Sequence, residues 1–242
     1  MLRNEIESEF LSTCEQLGRK GLIGFSPLED ARLLQVQRQY LVRKLKGLGR
    51  WPNITAVTIG LTYHEPEILA IPSGWVGKPP EDGSWNRYAR AYTELNRLLN
   101  ESGSRLAEKF GGAAEQATIG GFVGHVTHVN EYFPVTVSHR TFAEAAKVGW
   151  RGRHGLIVTP EAGPALRLAT VFIPQRFGRG QRALVGCGDC QACLSACSIL
   201  KQREGYPERC RLRIKALGLE AEVCGICIRT CWEAVRGQAK SA

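Results

Sequence analysis

Eight of the nine cysteines lie in the last quarter of the sequence, with the spacing of ligands to iron–sulfur clusters. The first run has the pattern C-x2-C-x2-C-x3-C, which bacterial two-cluster proteins use, the fourth cysteine serving the other [4Fe–4S] cluster. This run contains Cys187, Cys190, Cys193 and Cys197. The second group contains Cys210, Cys224, Cys227 and Cys231. Two such clusters form an electron relay, so the sequence predicts a redox protein.

The number of cysteines is right for two clusters with four thiolates each. Three cysteines at two-residue intervals can bind one cluster, while the next one, a helical turn later, points toward the neighbouring cluster. The first thiol set is therefore predicted to be Cys187, Cys190, Cys193 and Cys231. The second thiol set is predicted to be Cys197, Cys210, Cys224 and Cys227.

Cysteines in such numbers have two other common uses in proteins. Two zinc sites are conceivable because zinc also binds C-x2-C pairs, although three cysteines at such short intervals crowd one tetrahedral ion. A disulfide framework is typical of small secreted domains and fits this chain less well. Cys14 lies far from the others, in an amphipathic helical pattern, and is predicted to be a buried structural cysteine.

Composition is that of a globular chain with a basic surface. The sequence has 242 residues, 43% of them hydrophobic, and a formal net charge of +9. The basic residues are scattered, so an anionic partner such as nucleic acid is permitted but not indicated. The sequence contains no run of about 18 apolar residues, so no membrane-spanning helix is predicted. The charged first ten residues predict no secretory leader, and together with the cysteine usage they predict a cytoplasmic protein.

The elements that must position the cysteines alternate between helix and strand, which predicts an α/β or α+β fold. Apolar periodicity predicts helices at residues 2–19, 28–47, 84–110 and 140–148. Strands are predicted at residues 56–63 and 117–126, with a hairpin formed by 154–160 and 166–173. The glycine-rich, basic stretch 175–182 reads as a linker. It predicts one domain over residues 1–180 and a second over 181–242.

Residues 139–173 resemble a known family, and together with the cysteine pattern the resemblance covers roughly residues 20–235. Residues 139–154 read HRTFAEAAKVGWRGRH, which resembles the AxxAGLGWIGK segment of epoxyqueuosine reductases and their short relatives. Residues 156–164 (LIVTPEAGP) and 167–171 (RLATV) resemble the LLVTPEYGPxxRLATV that follows it. The family also includes catalytic subunits of reductive dehalogenases. The resemblance implies a nitroreductase-like domain that binds base-off cobalamin, followed by a ferredoxin-like domain with two [4Fe–4S] clusters.

The same resemblance implies that the corrinoid lies along residues 149–161. The residues implied in cofactor binding are Gly149, Trp150, Gly152, His154, Gly155, Thr159, Pro160 and Glu161. The glycines would let the backbone approach a flat macrocycle closely. A glycine-bearing turn that leads into a strand explains them equally well.

One departure from the family concerns the proton donor. Epoxyqueuosine reductases carry an aspartate in a DTxPxxE segment, whereas the corresponding residues 133–139 read FPVTVSH. Candidate donors here are Glu131, Tyr132, His139 and His154, and the two histidines are preferred because imidazole titrates near neutrality. Each histidine could equally be structural. We expect His139 to matter more for turnover than for folding.

The sequence therefore predicts an iron–sulfur, cobalamin-dependent reductase fed by a low-potential ferredoxin or flavodoxin. The substrate is expected to be a small molecule or a modified nucleoside. The missing aspartate, and the expectation that no helical-repeat region follows Cys231, weigh against tRNA. Two alternatives stay open: a two-cluster electron carrier or corrinoid reductase that serves a partner protein, and a flavin-dependent nitroreductase-like enzyme.

Overall fold

The computed structural model describes residues 1–117, 128, 131, 134–181 and 186–240. The fold mixes helices with sheet, which confirms the α+β class. The helices are α1 Leu2–Gln16, α2 Gln35–Lys44, α3 Glu65–Leu69, α4 Asn86–Lys109, α5 His139–Ala145, α6 Ala192–Ala196, α7 Ser198–Gln202, α8 Tyr206–Ala216 and α9 Ile226–Lys240. The strands are β1 Gly21–Pro27, β2 Thr55–Thr62, β3 Ala113–Glu115, β4 Trp150–Arg151, β5 Ile157–Val158 and β6 Leu166–Ile173.

Four strands form one sheet in the order β1-β2-β6-β3. Strand β1 runs antiparallel to β2, with Gly21 opposite Leu61, and β3 runs antiparallel to β6, with Ala113 opposite Phe172. Every residue of β2 is buried, which explains why this strand reads as a continuous rather than an alternating apolar run. Strands β4 and β5 form a separate antiparallel pair, with Trp150 opposite Val158.

Contacts between Cα atoms divide the chain into two compact units. The first unit consists of Met1–Thr62, Asn96–Gly149 and Arg167–Leu184. The second unit consists of Tyr63–Leu95, Trp150–Leu166 and Val185–Ala242. The cysteine-rich segment thus shares its unit with two earlier stretches of chain. The division into domains 1–180 and 181–242 stays a prediction about folding domains, and it does not coincide with these units.

The first unit has an apolar core on which helix α5 packs. The rings of Phe142 in α5 and Phe172 in β6 meet edge to face, with their centroids 5.4 Å apart. The buried members of this cluster are Leu28, Ala31, Leu41, Leu45, Ile54, Ala56, Val137, Phe142 and Phe172. Cys14 is 2% exposed, which confirms its predicted burial, and burial raises the pKa of its thiol to about 11.

The helices predicted at 2–19 and 84–110 and the strand predicted at 56–63 are confirmed as α1, α4 and β2, whereas the helix predicted at 28–47 begins late. Residues Leu28–Asp30 form a short 3-10 turn, Ala31 is extended, and the α-helix starts only at Gln35. The side chain of Gln37 accepts a hydrogen bond from the backbone N–H of Leu34, which caps this start. The strand predicted at 117–126 lies almost wholly outside the described residues.

The hairpin predicted from 154–160 and 166–173 is wrong in its pairing. The turn itself exists, because Thr159 and Gly163 exchange backbone hydrogen bonds of 2.9 and 2.8 Å. Beyond it the two strands separate: β5 pairs with β4, whereas β6 joins β2 and β3 in the larger sheet. Pro164 follows the turn and has no N–H to continue a ladder. No helix in the described part of the chain is long and apolar enough to cross a membrane.

Candidate functional site

The first thiol set comes together within the second unit. Cys187 and Cys190 lie in a turn before α6, closed by a 3.0 Å hydrogen bond from the backbone N–H of Cys190 to the carbonyl of Cys187. Cys193 lies in α6 and Cys231 in α9, and these two helices pack against each other. Burial, followed by the charges of the other three thiols, raises the pKa of Cys231 to about 12. The structure therefore places the late cysteine among the three early ones.

The second thiol set comes together beside the first. Cys197 lies in the extended break between α6 and α7, Cys210 in α8 and Cys227 in α9. Burial raises the pKa of the Cys227 thiol well above its ordinary value, and the charges of Cys210, Cys224 and Cys197 add to this effect. Burial and its neighbours Cys224 and Cys197 likewise raise the pKa of Cys210 to about 12.

The two sets have the composition that two [4Fe–4S] clusters require. Each holds four sulfurs from different parts of the chain, and Cys193 of the first set also influences the pKa of Cys227 in the second. Burial and the neighbouring thiols disfavour the ionised forms of Cys227 and Cys231. Within the described ranges no three His, Cys, Asp or Glu side chains are grouped closely enough for one metal ion.

The loop before α9 is fixed by residues that sequence reasoning missed. Trp85 is fully buried, and its indole N–H donates a 2.7 Å hydrogen bond to the carbonyl of Cys224. Gly225 has φ +83°, and a Cβ there would lie 2.8 Å from atoms of both Ile71 and Tyr88. Glycine is therefore required between the last two cysteines of the second set.

Two arginines donate hydrogen bonds to backbone carbonyls near the thiols. Arg153 donates hydrogen bonds to the carbonyls of Gly188 (2.7 Å) and Cys190 (3.0 Å), which fixes the turn of the first set. Arg213 donates to the carbonyl of Val76 and lies 3.8 Å from the centre of the Trp75 ring. Burial raises the pKa of Cys224. The positive charge of Arg213 and its hydrogen bond to the thiol offset part of this increase.

Several residues of the predicted corrinoid segment shape the β4–β5 turn. The backbone N–H of Gly152 donates 2.8 Å to the carbonyl of Leu156, and the N–H of Leu156 donates 3.0 Å to Nδ1 of His154. A Cβ on Gly152 would lie 2.7 Å from the His154 ring. The glycine is thus explained by packing inside the turn. His154 is 4% exposed and accepts through Nδ1, which is the environment of a structural side chain.

The remaining residues of this segment differ in exposure. Thr159 is fully buried, and its hydroxyl accepts a 3.1 Å hydrogen bond from the backbone N–H of Ala162. Gly155 has φ +78°, while Pro160 and Glu161 are exposed. Gly149 is buried and belongs to the first unit. The indole N–H of Trp150 is buried and has no acceptor among the described residues.

His139 has two internal hydrogen-bond partners. Its Nε2 lies 2.7 Å from the carbonyl of Gln116, so this nitrogen carries the proton, and Nδ1 lies 2.9 Å from the Thr170 hydroxyl, which donates to it. Burial lowers the pKa of His139 to about 4. These features are those of a neutral structural histidine. A catalytic role for His139 stays a prediction, and these contacts do not favour it.

The other candidate donors give no stronger site. Glu131 is exposed, and Tyr132 lies outside the described residues. A buried carboxylate that the sequence did not single out is Glu115. Lys44 lies 2.7 Å from it, and Tyr40 and Thr136 donate hydrogen bonds to it. With these three neighbours, Glu115 is a structural hydrogen-bond acceptor.

Lys147 stands where the resembling family segment has glycine, and it adopts the left-handed backbone conformation with φ +58°. It lines a cavity of about 180 Å³ in the first unit, together with Arg3 and Gly24. A Cβ on Gly24 would lie 2.3 Å from Val148. The chain after α5 therefore runs tightly along β1, which forces the bend at Lys147.

Comparisons with known proteins agree with these features. An epoxyqueuosine reductase of Salmonella typhimurium is 31% identical over 145 residues, a match that covers 60% of this chain and 35% of that protein. The Escherichia coli epoxyqueuosine reductase is 34% identical over 86 residues, or 36% of this chain and 23% of that protein. The matches thus span about a third and about a quarter of these relatives. No protein-family model matches the chain.

A solved structure of the epoxyqueuosine reductase from Streptococcus thermophilus aligns with 93% of this chain and 65% of its own, with a TM-score of 0.51 and 16% identity. At that identity the likeness is one of fold. The sequence matches carry the relationship, and they include the enzymes whose motifs residues 139–171 resemble. The chain is therefore related to the epoxyqueuosine reductases, in sequence over the matched segments and in fold over most of its length.

Proposed function

We propose that the protein is an oxidoreductase in which two [4Fe–4S] clusters pass electrons to a bound corrinoid and then to a substrate. The observation that carries this proposal is the gathering of eight cysteines into the two sets that the ferredoxin-type spacing requires. Under this proposal the fold is nitroreductase-like with a ferredoxin-like portion around the clusters. The relationship to reductases supports the same class of reaction.

The chain's own residues have defined tasks in this proposal. The first thiol set ligates one cluster and the second ligates the other. Trp85 and Arg153 fix the two cysteine loops by hydrogen bonds to their carbonyls. Burial of the thiols reduces solvent exposure of the clusters, which is one of the factors that set their reduction potentials.

The corrinoid would be held along residues 149–161. When bound, a corrinoid supplies a strongly nucleophilic, redox-active metal centre. The buried indole N–H of Trp150 offers a donor for a polar group of the cofactor, and the left-handed Gly155 leaves room for a close backbone approach. The residues proposed to line this site are Gly149, Trp150, Gly152, His154, Gly155, Thr159, Pro160 and Glu161. Of the four candidate proton donors, we propose His139 or His154 ahead of Tyr132 and Glu131.

The substrate is proposed to be a modified nucleoside or a related small molecule, because the relatives are named for reduction of epoxyqueuosine. We propose a low-potential electron carrier as the donor and the cytoplasm as the compartment, since unprotected clusters need reducing conditions. Replacement of the family's acidic segment by residues 133–139 still weighs against tRNA itself as the substrate.

Anaerobic purification tests the cofactors. We expect about eight irons and eight acid-labile sulfides per chain, from two clusters. Hydroxocobalamin should bind in the base-off form at micromolar protein concentrations, followed by its absorption and electron paramagnetic resonance (EPR) spectra. Stoichiometric zinc without iron would contradict the cluster proposal. Iron with extractable flavin and no corrinoid binding would favour the flavin-dependent alternative.

One observation favours a second candidate function, a two-cluster electron carrier or corrinoid reductase that serves a partner. His139, the preferred acid, is buried, and both of its ring nitrogens have internal partners. A carrier needs no general acid. Full clusters with no turnover of epoxyqueuosine or organohalides, but with fast electron transfer to free cobalamin, would select this function over the first.

A further inference from the structure

Helix α8 presents one face to solvent that combines two cations with an apolar centre. Arg209, Leu212 and Lys215 are spaced at three-residue intervals, so they lie along the same side of the helix. All three are exposed, and Leu212 retains 53% of its accessible surface. Together these three residues form the α8 face.

The charges of the α8 face are available to a partner. Among the described residues, no carboxylate pairs with Arg209 or Lys215, whereas the neighbouring Arg211 binds Glu208 at 3.0 Å. Exposed Lys201 and Arg203 precede the helix. Residues 198–218 contain six basic and two acidic side chains, a net charge of +4. This stretch carries nearly half of the chain's net charge of +9 in fewer than a tenth of its residues.

The same helix carries a cysteine of the second thiol set on its other side. Cys210 is flanked in space by Cys197, Cys224 and Cys227, and its thiol is largely buried. A helix with its side chains is about 10 Å thick, so the thiols lie roughly one helix thickness beneath the α8 face. Electrons entering through this face would therefore reach the second set by a short path.

We propose that the α8 face is the docking site for a small acidic electron-carrier protein. The proposal rests on the proposed function, because it assigns the entry point to the cluster held by the second thiol set. The docked carrier would give up one electron and the cluster held by the second thiol set would take it up, with no bond made or broken and no proton moved. Complementary charge steers such short-lived encounters and raises their association rates.

The composition of the face favours a protein over a nucleic acid. A phosphate backbone is bound by rows of cations, and affinity then scales with the number of phosphates neutralised. Here an exposed Leu212 lies between Arg209 and Lys215. An apolar centre with a charged rim is the arrangement of protein–protein interfaces, and redox encounters use small ones.

The test measures reduction of the reconstituted full-length protein by reduced flavodoxin in stopped flow. Charge reversal at two positions, Arg209→Glu with Lys215→Glu, should lower the second-order rate constant about tenfold or more at low ionic strength. The difference should shrink as salt screens the charges. Reduction by dithionite and the iron content should stay at wild-type values. A milder pair, Arg209→Gln with Lys215→Gln, should give a smaller effect in the same direction.

The control is Lys46→Glu with Arg50→Glu, which changes the net charge equally at exposed positions of the first unit. A rate that falls equally in both double variants, or in neither, would overturn the docking proposal while leaving the clusters intact. If the Arg209→Glu, Lys215→Glu variant no longer bound bulk tRNA but was reduced by flavodoxin at the wild-type rate, the face would be assigned to nucleic acid instead. A wild-type chain that assembles no clusters would overturn the proposed function together with this proposal.

Discussion

Cys227 and Cys231 are four residues apart on α9, yet each belongs to a different thiol set. The charges of Cys197, Cys210 and Cys224 act on Cys227, whereas those of Cys187, Cys190 and Cys193 act on Cys231. Residues at i and i+4 lie on the same side of a helix. One face of α9 therefore contributes to both sets. Cys193 in α6 and Cys197 in the extended break after it are divided between the sets in the same way.

Replacing these two cysteines one at a time should remove different clusters. Cys227→Ser and Cys231→Ser should each lower the iron content from about eight to about four per chain, because each set loses one of four ligands. EPR spectra of the reduced variants should retain complementary signals. Cys14→Ser, at the buried cysteine outside both sets, is the control and should keep all the iron. Identical residual spectra for the two variants would contradict the assignment of the sets.

Gly225→Ala should disrupt the second set more than the first. The added Cβ combines a left-handed backbone with contacts of 2.8 Å to Ile71 and Tyr88. The cost should exceed about 2 kcal/mol of unfolding free energy, since strain and overpacking add. Gly218→Ala is a matched control, because Gly218 has φ +62° with nothing within 4 Å of its Cβ. Denaturant unfolding measures both, and equal losses would show that the contacts are unimportant.

Arg213→Gln should lower the midpoint potential of the second cluster. The reduced cluster carries one more negative charge, which the guanidinium beside Cys224 stabilises. Arg211→Gln is the control, because Glu208 already neutralises Arg211. A redox titration followed by EPR would give both potentials. Equal potentials in the two variants would show that Arg213 only holds Trp75 and Val76.

His139 should make folding depend on pH. Its pKa falls from the ordinary 6.5 to about 4 on burial, so the unfolded chain binds the proton more tightly. The stabilisation is complete above pH 6.5 and is lost as the pH falls toward 4, by roughly 3 kcal/mol in all. His139→Asn should be less stable at neutral pH but lack this slope. Denaturant unfolding of both proteins, from neutral pH down toward pH 4, measures this difference.

That outcome would reverse the expectation that His139 matters more for turnover than for folding. Losing two buried hydrogen bonds should cost about 1–3 kcal/mol. If His139→Asn instead unfolds with the wild-type midpoint and the wild-type dependence on pH, the histidine is not the structural residue that its contacts indicate.

Lys147→Gly should stabilise the protein by roughly 0.5–1 kcal/mol. Glycine removes the strain of the left-handed conformation at φ +58°, and its greater entropy in the unfolded chain offsets part of the gain. Lys147→Ala keeps a Cβ and should show no such gain. Thermal and denaturant unfolding measure the difference, and equal stability of the two variants would count against strain at this position.

The sequence predicted the features that depend on local spacing. The intervals between neighbouring cysteines indicated which thiols belong to different sets. The apolar stripe of residues 84–110 predicted α4 almost to its ends. The partner of β5 could not be predicted, because a two-residue strand carries no pairing signal and Pro164 looks like any turn residue. Strand β6 pairs with β2 and β3 in the larger sheet, and β5 pairs with β4 instead.

The residues around the thiols were missed for a related reason. Trp85 lies 139 positions before Cys224, and Arg153 lies 35 before Gly188, so no periodicity connects either pair. Trp85 reads as one more apolar residue at a helix start. These side chains bind backbone carbonyls. Because every residue has one, the sequence does not show which residue is the acceptor. His139 was singled out by its motif, but only its depth and its two partners indicate a structural role.

The interleaving of the two thiol sets bears on how the protein is made. Cys231 completes a set whose other members lie between Cys187 and Cys193, and Cys224 and Cys227 complete the other. Neither set has all four of its cysteines until the ribosome has synthesised α9. Until then, a growing chain carries six cysteines that belong to two incomplete sets. Under the proposed function, neither cluster could be inserted before α9 has been synthesised, and both sites would become competent within the same few residues.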